Sequence, residues 1–132
     1  DKKNGFSLKY YPDSTLAEKL TYKNDLKEGE WLKYYPDGSV NLRTNYRDNM
    51  LNGSFEAYFE NGQPEMTGNY RDDLRDGAWT IYFKDGRIRF KIEYTLGIAN
   101  NRDMEIYETN YVDSLEKNTV KIADPEKTGQ IW

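Results

Sequence analysis

The side chains able to do chemistry in this chain of 132 residues are carboxylates, phenols and guanidinium groups, because it contains no Cys and no His. Thiolate nucleophiles, imidazole bases, disulfides and the metal sites built on those ligands are thereby removed. Glu30 and Glu56 are the pair that could serve glycoside hydrolysis, which needs two carboxyl groups across a cleft with one of them raised in pKa. Asp37, Asp48, Asp72, Asp73 and Asp85 offer oxygen ligands for calcium, but they sit in turn-like segments where Asp serves its own backbone, and none has EF-hand spacing. The expectation is therefore a protein with no enzymatic activity, no metal and no cofactor. Arg87, Arg89 and Lys91 alternate as the one local basic stripe. Against 19 basic and 23 acidic residues and a net charge of -4, that stripe predicts no nucleic-acid partner and no contact with anionic membrane.

The sharpest candidates for recognition are Tyr10, Tyr34, Tyr58 and Tyr82. Tyr presents flat, rigid, amphipathic area that suits a protein surface or a sugar ring at low entropic cost. The competing reading packs each ring over its cross-strand neighbours, with Arg89 beneath Tyr82 as a cation–π partner. Trp31, Phe55 and Trp79 make a second set, read either as core or as an aromatic groove that receives a helix or strand from another chain.

These residues recur because the chain repeats. Gly5, Gly29, Gly53 and Gly77 fall 24 residues apart, and "GFSLKYYPDS", "GEWLKYYPDG", "GSFEAYFENG" and "GAWTIYFKDG" follow them in step. Tyr22, Tyr46, Tyr70 and Tyr94 close the units. Repetition of this length marks stacked supersecondary units, none of which can bury its apolar face alone. The units run 5–28, 29–52, 53–76 and 77–100, and residues 101–132 form a cap and tail of the same domain.

Within each unit, Asp-Gly or Asn-Gly stands between apolar runs, the strongest short-range signal for a hairpin with a type I′ turn. With Asp37-Gly38 as a two-residue turn, Tyr35 faces Val40, Lys33 faces Leu42 and Trp31 faces Thr44, while Tyr34 faces Asn41 and Leu32 faces Arg43. In the fourth unit the same register pairs Phe83 with Ile88, Ile81 with Phe90, Trp79 with Ile92 and Tyr82 with Arg89. The links "YKNDLKEG", "YRDNMLNG" and "YRDDLRDG" place Asn and Asp where a left-handed backbone is needed. "RDMEIYETNYV" reads as a further strand and "NTVKIA" as its partner. The predicted fold is all-β: an elongated single-layer antiparallel meander of four hairpins, each adding roughly 9–10 Å, with a C-terminal capping strand or hairpin. Its apolar face must be covered by curling, by the tail with Ile131 and Trp132, or by a partner.

The pattern Gly-x-(Trp/Phe)-x-x-Tyr-(Tyr/Phe)-x-(Asp/Asn)-Gly, followed by a strand ending in Tyr, resembles the MORN repeat in its bacterial variant form, over residues 5 to about 100. Unit one departs from it, with Phe6 and Ser7 in place of the Gly-x-Trp arrangement and Ser14 in place of the turn Gly. The resemblance implies a β array that binds or positions other molecules. The leading expectation is a non-catalytic protein-protein interaction or scaffold module. The alternatives are an immunity or antitoxin protein for one toxin, and a carbohydrate or lipid binder using the Tyr column. Self-association by edge-strand or aromatic-face pairing is a further expectation. No run of about 18 apolar residues is present, and a first residue of Asp1 rather than Met inclines the expected location to the cell envelope or exterior.

Overall fold

The computed structural model describes residues 2–108 and 118–121, with 101–108 and 118–121 described by their backbone. Two strands build the first hairpin, β1 (Gly5–Tyr10) and β2 (Leu16–Lys23). The second has β3 (Leu26–Tyr34) and β4 (Val40–Arg47). The third has β5 (Met50–Leu51), β6 (Gly53–Tyr58) and β7 (Pro64–Arg71). The fourth has β8 (Leu74–Arg75), β9 (Gly77–Tyr82) and β10 (Ile88–Thr95). After it come β11 (Ile98–Glu108) and β12 (Asn118–Lys121). All pair antiparallel in one sheet of order β1-β2-β3-β4-β6-β7-β9-β10-β11-β12, with β5 on β4 and β8 on β7. The proposed cover by Ile131 and Trp132 lies outside the described residues.

The links have the left-handed backbone expected of their Asn and Asp residues, whereas the hairpin turns differ from the expected type. At Asp37-Gly38 the Gly38 N–H donates to the Tyr35 carbonyl and the Tyr35 N–H to that of Ser39, with Gly38 at φ 91°. This is a three-residue loop, a type I turn closed by a glycine bulge, and not the two-residue type I′ turn expected there. The fixed φ of Pro36 suits the first central position of this turn, and the same loop forms at Phe59–Gln63 and Phe83–Arg87 with Glu60 and Lys84 in that place. The extra residue shifts the register beyond it. Trp31 still pairs with Thr44 and Lys33 with Leu42, but Val40 meets Tyr34 rather than Tyr35. Likewise Ile88 meets Tyr82, so the expected Tyr82–Arg89 pair does not form and Arg89 stands in the bulge.

The type I′ geometry appears instead in the links. Asn24-Asp25, Asp48-Asn49 and Asp72-Asp73 all have positive φ, between 49° and 69°. Their short side chains tolerate that backbone, and here they add a second function. The N–H groups of Asp25, Asn49 and Asp73 donate to the carbonyls of Lys3, Lys27 and Leu51. Their side-chain oxygens accept the N–H of those same residues. Each link turn is thus clasped to the one before it.

The core lies on the face carrying Trp79, Ile81, Phe90, Ile92 and Tyr94, all buried, with Phe55, Met66, Tyr70 and Ala99 packed against it. A single sheet has no second layer, so neighbouring units cover one another. Trp79, 1% exposed, lies edge-on to Tyr70 and Tyr94 at centroid distances of 5.0 and 6.4 Å and tilted against Phe55 at 5.3 Å. Arg75 spans its outer side, 4.7 Å from the ring centroid. The indole also occupies the space above Gly68, where an added Cβ would fall 2.1 Å from the ring. The equivalent positions in the units before and after are Leu20, Thr44 and Ile92, so the unit with the smallest residue receives the largest aromatic at full depth. Its Nε1 donates to the Asn69 carbonyl at 3.0 Å. The corresponding Trp31, paired with Leu20, is half-buried with an Nε1 that has no partner.

Candidate functional site

The face opposite the core carries the Tyr column. Tyr10, Tyr34, Tyr58 and Tyr82 each end the first long strand of their hairpin, so the repeat delivers one ring per unit. Tyr10 is 58% exposed, and the other three are half-buried. Tyr58 donates its hydroxyl to Glu56 Oε2 at 3.0 Å, and burial followed by that carboxylate pushes its phenol above the usual range. The hydroxyls of Tyr82 and Thr67 lie 3.4 Å apart. Arg89 places its guanidinium over Phe83 and Phe90, at 5.6 and 5.0 Å.

The same face holds the two carboxylates considered for hydrolysis. Arg43 lies between them, 4.0 Å from Glu30 Oε2 and 4.0 Å from Glu56 Oε1. A guanidinium in that position makes the pair an ion cluster on a flat strand surface. The turn carboxylates are also engaged. Asp13, Asp37 and Asp85 accept the backbone N–H of Thr15, Ser39 and Arg87, and Asn61 does so for Gln63. Hydrogen bonds from the Thr15 and Ser39 side chains, and from the Arg87 backbone, hold the three Asp below their ordinary pKa. Among the described residues, no group of His, Cys, Asp and Glu is arranged to hold a metal ion.

The basic stripe is broken up. Arg87 Nε donates to Asp85 Oδ2 at 2.6 Å, and the bulge at Arg89 interrupts the alternation with Lys91.

Of the aromatic groove set, Trp79 is enclosed and acts as core, whereas Phe55 and Trp31 are half-buried. Beside Phe55 a shallow concavity of about 460 Å³ is floored by Phe59, Met66, Tyr70 and Ile81. One role was missed in the sequence. Tyr11 and Tyr35 send their hydroxyls to the carbonyls of Tyr34 and Tyr58 in the following units. The signal was present: that slot is Tyr in units one and two and Phe59 and Phe83 in the next two. No helix among the described residues is long and apolar enough to cross a membrane.

The fold and this face define a repeat array: one antiparallel sheet built from hairpins of equal length, bonded unit to unit. The chain belongs to the MORN repeat variant family, whose model matches residues 3–24, 27–48, 51–72 and 75–95. The matched units open on residues 3, 27, 51 and 75, the first three of which receive the clasp from the following link turn. Such repeats point to a repeat-built binding or scaffold module. No curated protein matches the chain. Among solved structures it is similar to a chain in "Crystal structure of GtfA/B complex bound to UDP and GlcNAc", with 13% identity and a TM-score of 0.38. That match covers 93% of this chain and 28% of the other.

Proposed function

We propose that the array is a non-catalytic protein-binding module that engages its partner through the face bearing Tyr10, Tyr34, Tyr58 and Tyr82. The observation that carries this reading is the delivery of one partly exposed Tyr ring per unit at the same place in each hairpin. On that face Arg43 ties up the two carboxylates that could otherwise act as acid and base. Rings spaced by two strands, roughly 9–10 Å apart, offer repeated anchors to a protein surface rather than one enclosed pocket.

The test is photocrosslinking in the native cell with a photoreactive phenylalanine at position 34, then calorimetry with the purified partner. Tyr34→Ala with Tyr58→Ala is expected to weaken binding by about tenfold or more while the chain stays folded by circular dichroism, because interface energy concentrates in a few aromatic anchors. Full affinity in the double variant overturns the reading. So does binding of glycans or lipid vesicles to this face with no protein crosslinked.

A further inference from the structure

We propose that the link edge of the array is a second docking surface, one that takes an acidic amphipathic helix of a protein partner. One apolar residue stands directly after each link turn: Leu26, Met50, Leu74 and Ile98, again 24 residues apart. They are exposed, at 38%, 36%, 44% and 73%. Each pairs across its own turn with Lys23, Arg47, Arg71 or Thr95. These four residues follow Tyr22, Tyr46, Tyr70 and Tyr94. Because Tyr70 and Tyr94 pack in the core, alternation turns both rows to the opposite face of the sheet. Along the edge the order is Lys23, Leu26, Arg47, Met50, Arg71 and Leu74, a stripe in which basic and apolar residues alternate.

Packing within the array accounts for only part of this row. Leu74 touches the next link, where a Cβ on Gly97 would fall 3.0 Å from its Cδ2, yet much of its surface stays open. The fourth link goes further. Leu96 stands where the other links carry Asn24, Asp48 and Asp72, holds φ 50° and is exposed. A left-handed Leu is strained and here buries little in return, and strain of this kind persists where it serves a function. In this place it widens the apolar end of the stripe beside Ile98. Exposed apolar rows of this extent, rimmed by polar residues, mark sites of interaction.

Charge and spacing decide what fits. Among the described residues Lys23 and Arg71 make no ion pair, and both are exposed, while Arg47 lies 3.7 Å from Asp72. The carboxylates nearby are committed inside the array: Asp25 and Asp73 to the clasps, Glu28 to the Asp48 N–H, and Asp72 to the Asn52 side-chain amide. An opposing surface therefore needs acidic groups beside its apolar ones. The apolar residues repeat every two strands, roughly 9–10 Å, and one heptad of α-helix advances about 10.5 Å. From Leu26 to Ile98 is three such steps, about 30 Å, the length of a helix of about 20 residues. A helix with apolar residues at heptad spacing and carboxylates on its flanks meets successive links in register. The Tyr column stands at the other ends of the same strands, so this surface is separate from it: β3 begins at Leu26 and ends at Tyr34.

The probe is a helical peptide of about 21 residues with Leu at heptad positions a and d and Glu at e and g, titrated with the 132-residue chain by fluorescence anisotropy. A dissociation constant of about 100 μM or tighter is expected, with the same peptide carrying Lys in place of Glu bound about tenfold or more weakly. Met50→Gln with Leu74→Gln is expected to weaken binding of the acidic peptide about tenfold or more while the chain stays folded by circular dichroism. Lys23→Glu with Arg71→Glu is expected to reverse the preference between the two peptides. No binding of the acidic peptide at about 1 mM overturns the proposal, as does equal binding of both peptides. Full affinity in the folded Gln variant, or an unreversed preference in the Glu variant, overturns it too. Binding to vesicles of phosphatidylserine and phosphatidylcholine with neither peptide bound also overturns it, in favour of a membrane surface. Should the Gln variant unfold, the charge reversal decides alone.

Discussion

At the scale of single residues, the turn aspartates connect sequence to stability most directly. Asp37 accepts hydrogen bonds from both the backbone N–H and the hydroxyl of Ser39, and Asp13 makes the same pair with Thr15. Their native pKa values are lowered from 3.8, as is that of Asp85. The unfolded chain therefore holds these protons more tightly than the native one. The stabilisation they contribute is fully present above the unfolded pKa and is lost as pH falls through the lower native values. Unit three already has Asn61 in this role and feels no such titration. The variant carrying Asp13→Asn, Asp37→Asn and Asp85→Asn should keep the turns and lose less melting temperature than wild type between pH 5 and pH 2. Thermal melts across that range check it. The role of these residues was legible because Asp followed two positions later by a backbone donor is a local turn signal. The depth of Trp79 was not, because it depends on Gly68 in the neighbouring hairpin, which no local pattern reports.

At the scale of elements, the links carry the array. Each needs two successive residues in the left-handed region, and three of the four links meet that need with Asn and Asp. The fourth uses Leu96 and Gly97, with Leu96 at φ 50° and 61% exposed. A Leu in that region is strained at a cost of order 1 kcal/mol with no burial to offset it. Leu96→Asn, which restores the residue type of Asn24, should raise stability by about 0.5–1 kcal/mol, measured by urea unfolding. The hairpin period and strand faces were readable from "LKYYPDGSV" and its copies, but the turn type was not. Asp-Gly or Asn-Gly satisfies both a type I′ turn and a type I turn with a bulge, and the same three-residue loop forms with Pro36 and without proline, where Glu60 and Lys84 stand. The one-residue bulge followed from that choice and moved Arg89 away from Tyr82.

At the scale of the whole molecule, the period of 24 residues recurs in space as bonds between units. The Asp25, Asn49, Asp73 and Gly97 amides each reach back 22 residues, to Lys3, Lys27, Leu51 and Arg75. Phenols of Tyr11 and Tyr35 reach forward 23 residues from the hairpin ends, to the carbonyls of Tyr34 and Tyr58. The apolar core is uneven along this ladder, densest in unit four and absent from the exposed row of β1. Energetic coupling in such arrays runs between neighbours, so local opening should be easiest where neighbours are fewest. These clasps lock the units into one sheet. Amide hydrogen exchange followed by NMR reads the clasps residue by residue, at the second position of each link turn. The Asn49, Asp73 and Gly97 amides are expected to be protected by about 10²-fold or more, with Asp25 the least protected of the series. Exchange of all four at the rate of free, solvent-exposed turns would contradict it.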